Sequence, residues 1–361
     1  MYTSFSVRNF RCFRELEMKD LARVNLITGK NNVGKSTLLD ALFIHSGYSR
    51  MDFTQSVDYH RGLIEARVSP ADTAAPPWVT LFHRFDTAEP IVAAGRAASG
   101  RSWSVTLRHL RTAEDLGRAM EAPGMRPTAS NGVGRALALL QALELTAEEP
   151  DTEASRYYTG MDQEGMRSSP AGPSAWPVAI LPALYRGSVE TLNSQFGRVV
   201  TERRTDALTR ALAVLEPRLR GLHLGQFLGV TQILGDVEGW AQLVPLAVMG
   251  DGMGRLIRML LGLQQVGGGV LLVDEVENGF HHSSMRDVWR RIADAARDHD
   301  TQIFATTHSW ECVVAAHEAF SESLEYDLRM HRLDAVDGRT EDVVYDQETL
   351  AAAIEIGMEV R

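Results

Sequence analysis

Apolar and polar residues alternate at the start of the chain. Phe5 and Val7 are flanked by polar neighbours, and Phe10, Phe13, Leu16 and Met18 continue a pattern of short strands. A turn at Lys19-Asp20 leads to the apolar run Val24, Leu26 and Ile27. From Thr37 to about Ser46 the period changes: Leu38, Leu39, Leu42 and Phe43 share one helical face, and Gly47 is a stop signal. Residues 47–77 are irregular, broken by Pro70, Pro76 and Pro77. Strand patterns at Trp78 to Phe85 and Ser102 to Leu110 predict an antiparallel pair. Residues 112–145 read as helical, interrupted at Pro123-Gly124, Pro127 and Asn131-Gly132. Thr146 to Pro177 is acidic, then small and polar, with no period, and a long mobile loop or a segment ordered by a partner is expected there.

A strand is expected over Val178 to Tyr185, a helix over Val189 to Arg220 with Pro217 near its end, and a strand meander over Leu222–Phe227, Val230–Val237 and Trp240–Val248. The last third has an α/β rhythm. A helix over Gly254 to Gln265 precedes Val270-Leu271-Leu272-Val273, a continuous apolar run of the kind found in parallel strands buried on both faces. A helix from Ser283 to Arg297, a strand at Gln302 to Thr306, a further helix, two short strands (Leu328–Asp334 and Asp342–Asp346) and a terminal helix from Thr349 complete the pattern.

The chain has 361 residues, 44% of them hydrophobic, enough for a large core. No basic segment followed by an apolar one opens it, and the apolar stretch Leu256 to Val273 is interrupted by Arg258, Gln264 and Gln265. Neither secretion nor a membrane span is expected. Cys12 and Cys312, far apart in sequence, fit core positions in a protein of the reducing cytoplasm. A net charge of −10 opposes a surface given over to nucleic acid. Arg198, Arg203, Arg204, Arg210, Arg218 and Arg220 nevertheless crowd one expected helix, as either a local basic stripe or a solvated face.

Candidate chemistry begins at Gly29 to Thr37, GKNNVGKST, whose first eight residues fit G-x-x-x-x-G-K-[ST] between an expected strand and an expected helix. Gly29 and Gly34 let the backbone curl, so that N–H groups along Asn31 and Asn32 and the helix N-terminus point at phosphate; Lys35 reaches the outer phosphates. Ser36 would place a hydroxyl on Mg²⁺, next to Thr37. The strand LLVDE ends in two acids. Asp274 would hold Mg²⁺ and Glu275 would polarise the water attacking the γ-phosphate of ATP. His308 follows the next strand at the same carboxyl edge, where it can donate to a γ-phosphate oxygen. Gly250, Asp251 and Gly252, in MGDGMGR, open a helix with a glycine-rich backbone suited to a second phosphate contact, or else form a tight turn.

The ordered set VRNFRCF, GKNNVGKS, GDGMGR, LLVDEVENGFHH and TTHS resembles ABC/SMC-like P-loop ATPases, in particular the OLD-like ATPases of bacterial antiphage defence systems; its motifs span about residues 1–60 and 178–361. The resemblance implies an α/β ABC-type head, a mixed sheet core plus an antiparallel subdomain, with a mostly helical insertion. It places the N-terminal half of the head at residues 1–110, the insertion at 111–220 with its loop at 146–177, and the C-terminal half at 221–361. Lys35 and Ser36 become the Walker A pair, Asp274 and Glu275 Walker B and general base, and His308 the switch histidine. Gly250 to Gly252 become the signature loop, given in trans to a partner's ATP in a head-to-tail homodimer. Glu277 to His281 follow Walker B at the dimer contact.

This sequence departs from the family at Gly250, which stands where a signature serine usually offers its hydroxyl, so slow hydrolysis is expected. The Q-loop candidate is Gln55. No acid cluster for a TOPRIM nuclease follows Ser309, and Asp298-His299-Asp300 lies at an expected solvent-facing turn. Long heptad arms are absent, against a chromosome-tethering role. No Asn is followed by Lys, which removes the guanine motif of a GTPase. Two functions remain: an ATPase that senses infection and controls a separate effector, a nuclease or toxin docked on residues 110–240, and a DNA-repair ATPase of the recombination-mediator kind that binds duplex through the arginine-rich helix.

Overall fold

The computed structural model describes residues 1–49, 76–126, 139–162, 165–172, 176–183 and 188–357. In chain order the first elements are β1 (Tyr2–Phe10), β2 (Phe13–Met18), β3 (Val24–Gly29), α1 (Lys35–Ser46), β4 (Ile91–Ala97), β5 (Ser102–Leu110) and α2 (Ala113–Glu121). Next come β6 (Gln141–Glu148), β7 (Ser155–Met161), β8 (Met166–Ser168), β9 (Val178–Leu181), α3 (Val189–Thr201) and α4 (Thr205–Leu212). The remainder is β10 (Leu219–Phe227), β11 (Val230–Val237), β12 (Val244–Pro245), α5 (Asp251–Gln265), β13 (Val270–Val273), α6 (His282–Asp298), β14 (Gln302–Thr306), α7 (Trp310–Ser321), β15 (Leu328–Val336), β16 (Arg339–Tyr345) and α8 (Gln347–Glu355). Contacts divide the chain into two compact units. One is Met1–Leu21, Asn31–Trp176 and Leu333–Val343; the other is Ala22–Lys30, Pro177–Arg332 and Val344–Arg361.

The first unit is built on a seven-stranded antiparallel sheet, β2-β1-β4-β5-β6-β7-β8. Period-two patterning sets its faces: Phe5 and Val7 of β1 and Trp103, Val105 and Leu107 of β5 are buried, whereas Arg8 and Arg108 are exposed. The buried face carries His45 from α1. The Tyr2 hydroxyl donates to its Nδ1 at 2.8 Å, its Nε2–H donates to the Trp103 carbonyl at 3.3 Å, and its ring stacks on Trp103 at 4.8 Å. Both ring nitrogens are therefore satisfied in the neutral form. Complete burial lowers its pKa from 6.5 to about 3.

Between those values the unfolded chain binds a proton that the folded chain refuses. Stability should fall by about 1.4 kcal/mol per pH unit as pH drops through the window. Urea unfolding at stepped pH should show that slope, and His45→Gln should flatten it; equal slopes in the two proteins would remove His45 as the cause.

Several expectations for this unit are corrected. Residues 78–85 form short 3₁₀ turns, Pro77–Leu81 and His83–Phe85, with Arg84 and Phe85 at φ 52° and 61°; the partner of β5 is β4, with Ile91 opposite Leu107. Proline at the first turn position favours this over a strand. The expected loop at 146–177 contains the end of β6 and the strands β7 and β8, held by cross-strand pairing and by the Tyr158 hydroxyl donating to Glu144 at 3.0 Å. Of the helix expected at 112–145 only α2 is present among the described residues, and β6 occupies its end. The segment 111–220 thus alternates helix and strand instead of being mostly helical. Cys12 is exposed, against its expected core position, whereas Cys312 is buried and its thiol is pushed up to about 12 by burial.

A six-stranded sheet is ordered β16-β15-β3-β14-β13-β9; β3, β14, β13, β9 and the first part of β15 belong to the second unit. Its central strands are parallel: Leu26 lies opposite Ala305, Leu271 opposite Ile303, and Leu271 opposite Ala179 on the other side. Every residue of β3, β13 and β14 is buried, which explains why their sequences are continuous instead of alternating. Helices α6 and α7 meet through Trp289 and Phe320, edge to face at 6.4 Å. A meander, β10-β11-β12, forms a separate antiparallel sheet.

The single helix expected at 189–220 is two helices and the start of a strand. The chain turns at Arg203, φ 58°. The six arginines therefore do not share one helix: Arg198 is on α3, Arg210 on α4 and Arg220 on β10, and Arg218 pairs with Glu216 at 2.9 Å. No helix among the described residues is long and apolar enough to cross a membrane.

Candidate functional site

The phosphate loop starts where β3 ends. Gly29, Asn32 and Gly34 have φ of 132°, 64° and 112°, left-handed conformations that tighten the loop and start α1 at Lys35. Leu38 N–H donates to the Gly34 carbonyl at 2.8 Å, so the helix is closed from its first turn. Gly34 has a second reason to lack a side chain: a Cβ there would lie 2.5 Å from the Phe13 ring and 2.7 Å from Cys12 Sγ. Arg11, in the same β1–β2 turn, pairs with buried Asp40 of α1 at 3.0 Å, fixing turn to helix. Lys35 is buried, Ser36 and Thr37 are half-buried, and Asn31 and Asn32 are exposed.

Within the second unit the order β3-β14-β13 brings three strand ends to one edge, carrying Gly29, then Thr307-His308, then Asp274-Glu275. One hydroxyl organises the acids. Thr306 Oγ1 donates to Asp274 Oδ1 at 2.7 Å and accepts the Glu275 N–H at 2.8 Å. Glu275 itself is left-handed, φ 50°, an uncommon state for a residue with a side chain, and Asn278 Nδ2 donates to its Oε2 at 2.8 Å. The carboxylate is thereby aimed by a strained backbone and a side-chain amide. His308 is exposed, and its backbone N–H donates to Glu277 Oε1 at 2.8 Å.

Behind this edge lies Arg255 of α5. Its guanidinium donates to the carbonyls of Pro182 at 2.9 Å, Glu275 at 3.1 Å and Asp274. Burial lowers its pKa, and the nearby charges of Asp274, Glu277 and Glu275 oppose that shift. Gly250 precedes α5 with φ 102°, and Asp251 supplies a negative charge to the first turn. A Cβ on Gly252 would meet the Gly279 carbonyl oxygen at 2.5 Å, and one on Gly279, φ 84°, would meet Asp251 C and Gly252 N at 3.1 Å. The Gly250–Gly252 turn is therefore packed directly on the loop that follows Glu275.

Sequence reasoning missed Thr306, Arg255, Asn278 and the Gly252–Gly279 contact. Thr306 was visible only as part of TTHS; its role follows from the β13–β14 register. Gln55 lies outside the described residues. Among the described residues no group of three or more His, Cys, Asp and Glu could hold a metal ion. The hydroxyl and carboxylate donors Ser36 and Asp274 do suit Mg²⁺, which binds few protein oxygens and completes its shell with water and phosphate.

Two family models match the chain. One described as an AAA ATPase domain matches residues 1–67, and one described as an AAA domain, putative AbiEii toxin, type IV TA system, matches residues 235–313. The chain is 22% identical over 340 residues to an ATP/GTP phosphatase of Helicobacter pylori, covering 87% of this chain and 86% of that protein. Among solved structures, an Smc head bound to the C-winged helix domain of ScpA aligns over 96% of this chain and 98% of its own, at 13% identity and a TM-score of 0.49. An Smc head domain with an extended coiled coil, bound to the C-terminal domain of ScpA derived from Pyrococcus furiosus, aligns over 99% of both chains at 11% identity and a TM-score of 0.49.

Proposed function

We propose that this chain, an ATPase matched by AAA-domain models over residues 1–67 and 235–313, is the regulatory ATPase of a bacterial antiphage defence complex. In this reading Lys35 neutralises the outer phosphates of ATP, and Glu275 orients the attacking water. His308 reports the γ-phosphate. Ser36 and Asp274 would hold Mg²⁺, whose charge would offset that developing on the phosphates. Gly250, Asp251 and Gly252 serve the nucleotide of a second copy, so that ATP closes a head-to-tail homodimer and hydrolysis releases it. A separate nuclease or toxin is held or freed by that cycle.

The observation carrying the hydrolytic part is the Thr306 hydroxyl, which ties Asp274 and the Glu275 backbone into one unit at a sheet edge. The defence part is supported by the match of residues 235–313 to a model whose description includes a type IV toxin–antitoxin system, whereas the similarity to the Helicobacter pylori ATP/GTP phosphatase supports nucleotide hydrolysis. The test is to express the tagged chain with its neighbouring genes and identify what co-purifies, in wild type and in Glu275→Gln. A stoichiometric nuclease or toxin, retained more strongly by the variant with ATP, is expected. Recovery of duplex DNA alone would favour the repair reading.

A further inference from the structure

The hairpin β10–β11 ends in a turn, Phe227-Leu228-Gly229-Val230, that exposes apolar side chains: Leu228 is 90% exposed, Val230 54% and Leu224, within β10, 42%. Among the described residues β10 is an edge strand, paired with β11 alone. Every second residue on its outer side presents backbone N–H and C=O groups that no strand of the described residues faces. Edges of this kind are ordinarily protected by charge, proline or a bulge. Here the span His223 to Gln232, HLGQFLGVTQ, has no charged residue and no proline, in a chain of net charge −10. The one register shift lies at the other end of β10, between Leu219 and Gly221.

We propose that β10 pairs antiparallel with β10 of a second copy of this chain about a two-fold axis at Leu224, making a nucleotide-independent dimer. A two-fold axis perpendicular to the sheet sets residues of the same face opposite each other, at positions equally far on either side of the axis. Centred on Leu224, it places His223 opposite Gly225 of the second copy and Phe227 opposite Gly221. Each large side chain on that face falls opposite a glycine, so no two large side chains oppose each other there; within one chain Leu234 already lies against Gly225 and His223 against Gly221. On the other face Leu224 meets its own copy and Leu222 meets Gln226. The paired span Gly221–Phe227 is thus self-complementary in size and uncharged where two acidic molecules approach, with Arg220 just outside it. A centre two residues later would draw the turn residues Leu228 and Gly229 into the ladder, beyond the end of the strand. This interface is distinct from any closed by ATP and does not depend on that reading.

The test uses the full chain without nucleotide, in a Lys35→Ala background that removes the phosphate-loop cation. Light scattering on the size-exclusion peak should give twice 39.9 kDa. Leu224→Lys, which sets two ammonium groups against each other on the axis, should return the monomer. Leu224→Cys in a Cys12→Ser background should cross-link to its own copy under mild oxidation, and Gln226→Cys should do so far less, since cross-strand neighbours alone are close enough for a disulfide. The cysteine pair needs no disruptive substitution and keeps the test valid if Leu224→Lys misfolds. A monomer before any substitution, a dimer indifferent to Leu224→Lys in folded protein, or cross-linking equal at the two positions would each overturn the proposal.

Discussion

Glu275→Gln is expected to lower kcat for ATP hydrolysis by about 10²–10⁴-fold while leaving ATP affinity within a few-fold of wild type. The substitution is close to isosteric. Its amide oxygen can still accept from Asn278 Nδ2, and its backbone N–H can still donate to Thr306 Oγ1. What disappears is the negative charge that polarises water in the proposed mechanism, so the loss should fall on the chemical step and not on binding. Single-turnover phosphate release, set beside equilibrium binding of a fluorescent ATP analogue, separates the two quantities. If kcat stays within about threefold of wild type, Glu275 is not the group that activates water.

Arg255→Ala should strongly destabilise the second unit. The guanidinium is buried and holds the carbonyls of Pro182, Asp274 and Glu275; without it the Pro182 and Asp274 oxygens lose this donor, the Glu275 oxygen keeps the Asn278 N–H at 3.1 Å, and the surrounding acids lose their compensating charge. Glu277 is especially exposed to the loss, because its Oε2 is buried with no hydrogen-bond partner. Breaking a buried charge arrangement by removing one side costs about 3–5 kcal/mol. Thermal unfolding should shift down by roughly 5–15 °C, with hydrolysis reduced in the protein that remains folded. Arg255→Lys should recover part of the stability through charge but little of the activity, since an ammonium cannot reach three carbonyls in a planar fork. A melting temperature unchanged in Arg255→Ala would remove Arg255 as the support of this edge.

The parallel strands of the second unit were readable because burial on both faces leaves a continuous apolar run. Val270–Val273 and Gln302–Thr306 are found where they were expected, and so is the glycine-bounded loop between β3 and α1. The antiparallel sheet was harder. β1 pairs with β4, some ninety residues away, at Tyr2 and Ala97, and such distant partners leave no local trace. β7 and β8 contain Arg156 and Arg167, polar residues that suit a half-exposed sheet face but look like loop when read alone, and most of β6 reads as the end of a helix. The break between α3 and α4 has no glycine or proline; Arg203 makes it in a left-handed conformation. At the candidate site the chemically reactive residues stood out by type. Thr306 and Arg255 did not, because their importance depends on which backbone groups the fold brings to them.

The close seating of Gly252 on Gly279 limits how this protein can be altered, by selection or by design. Each occupies the space that the other's neighbourhood would need for a side chain, so the opening of α5 and the loop after Glu275 form one mechanical part. A library that randomised either position alone would return almost only glycine. Access to new sequence should come through paired changes that move both backbones apart, and any such variant would carry its displacement straight to the carboxylate three residues before Asn278.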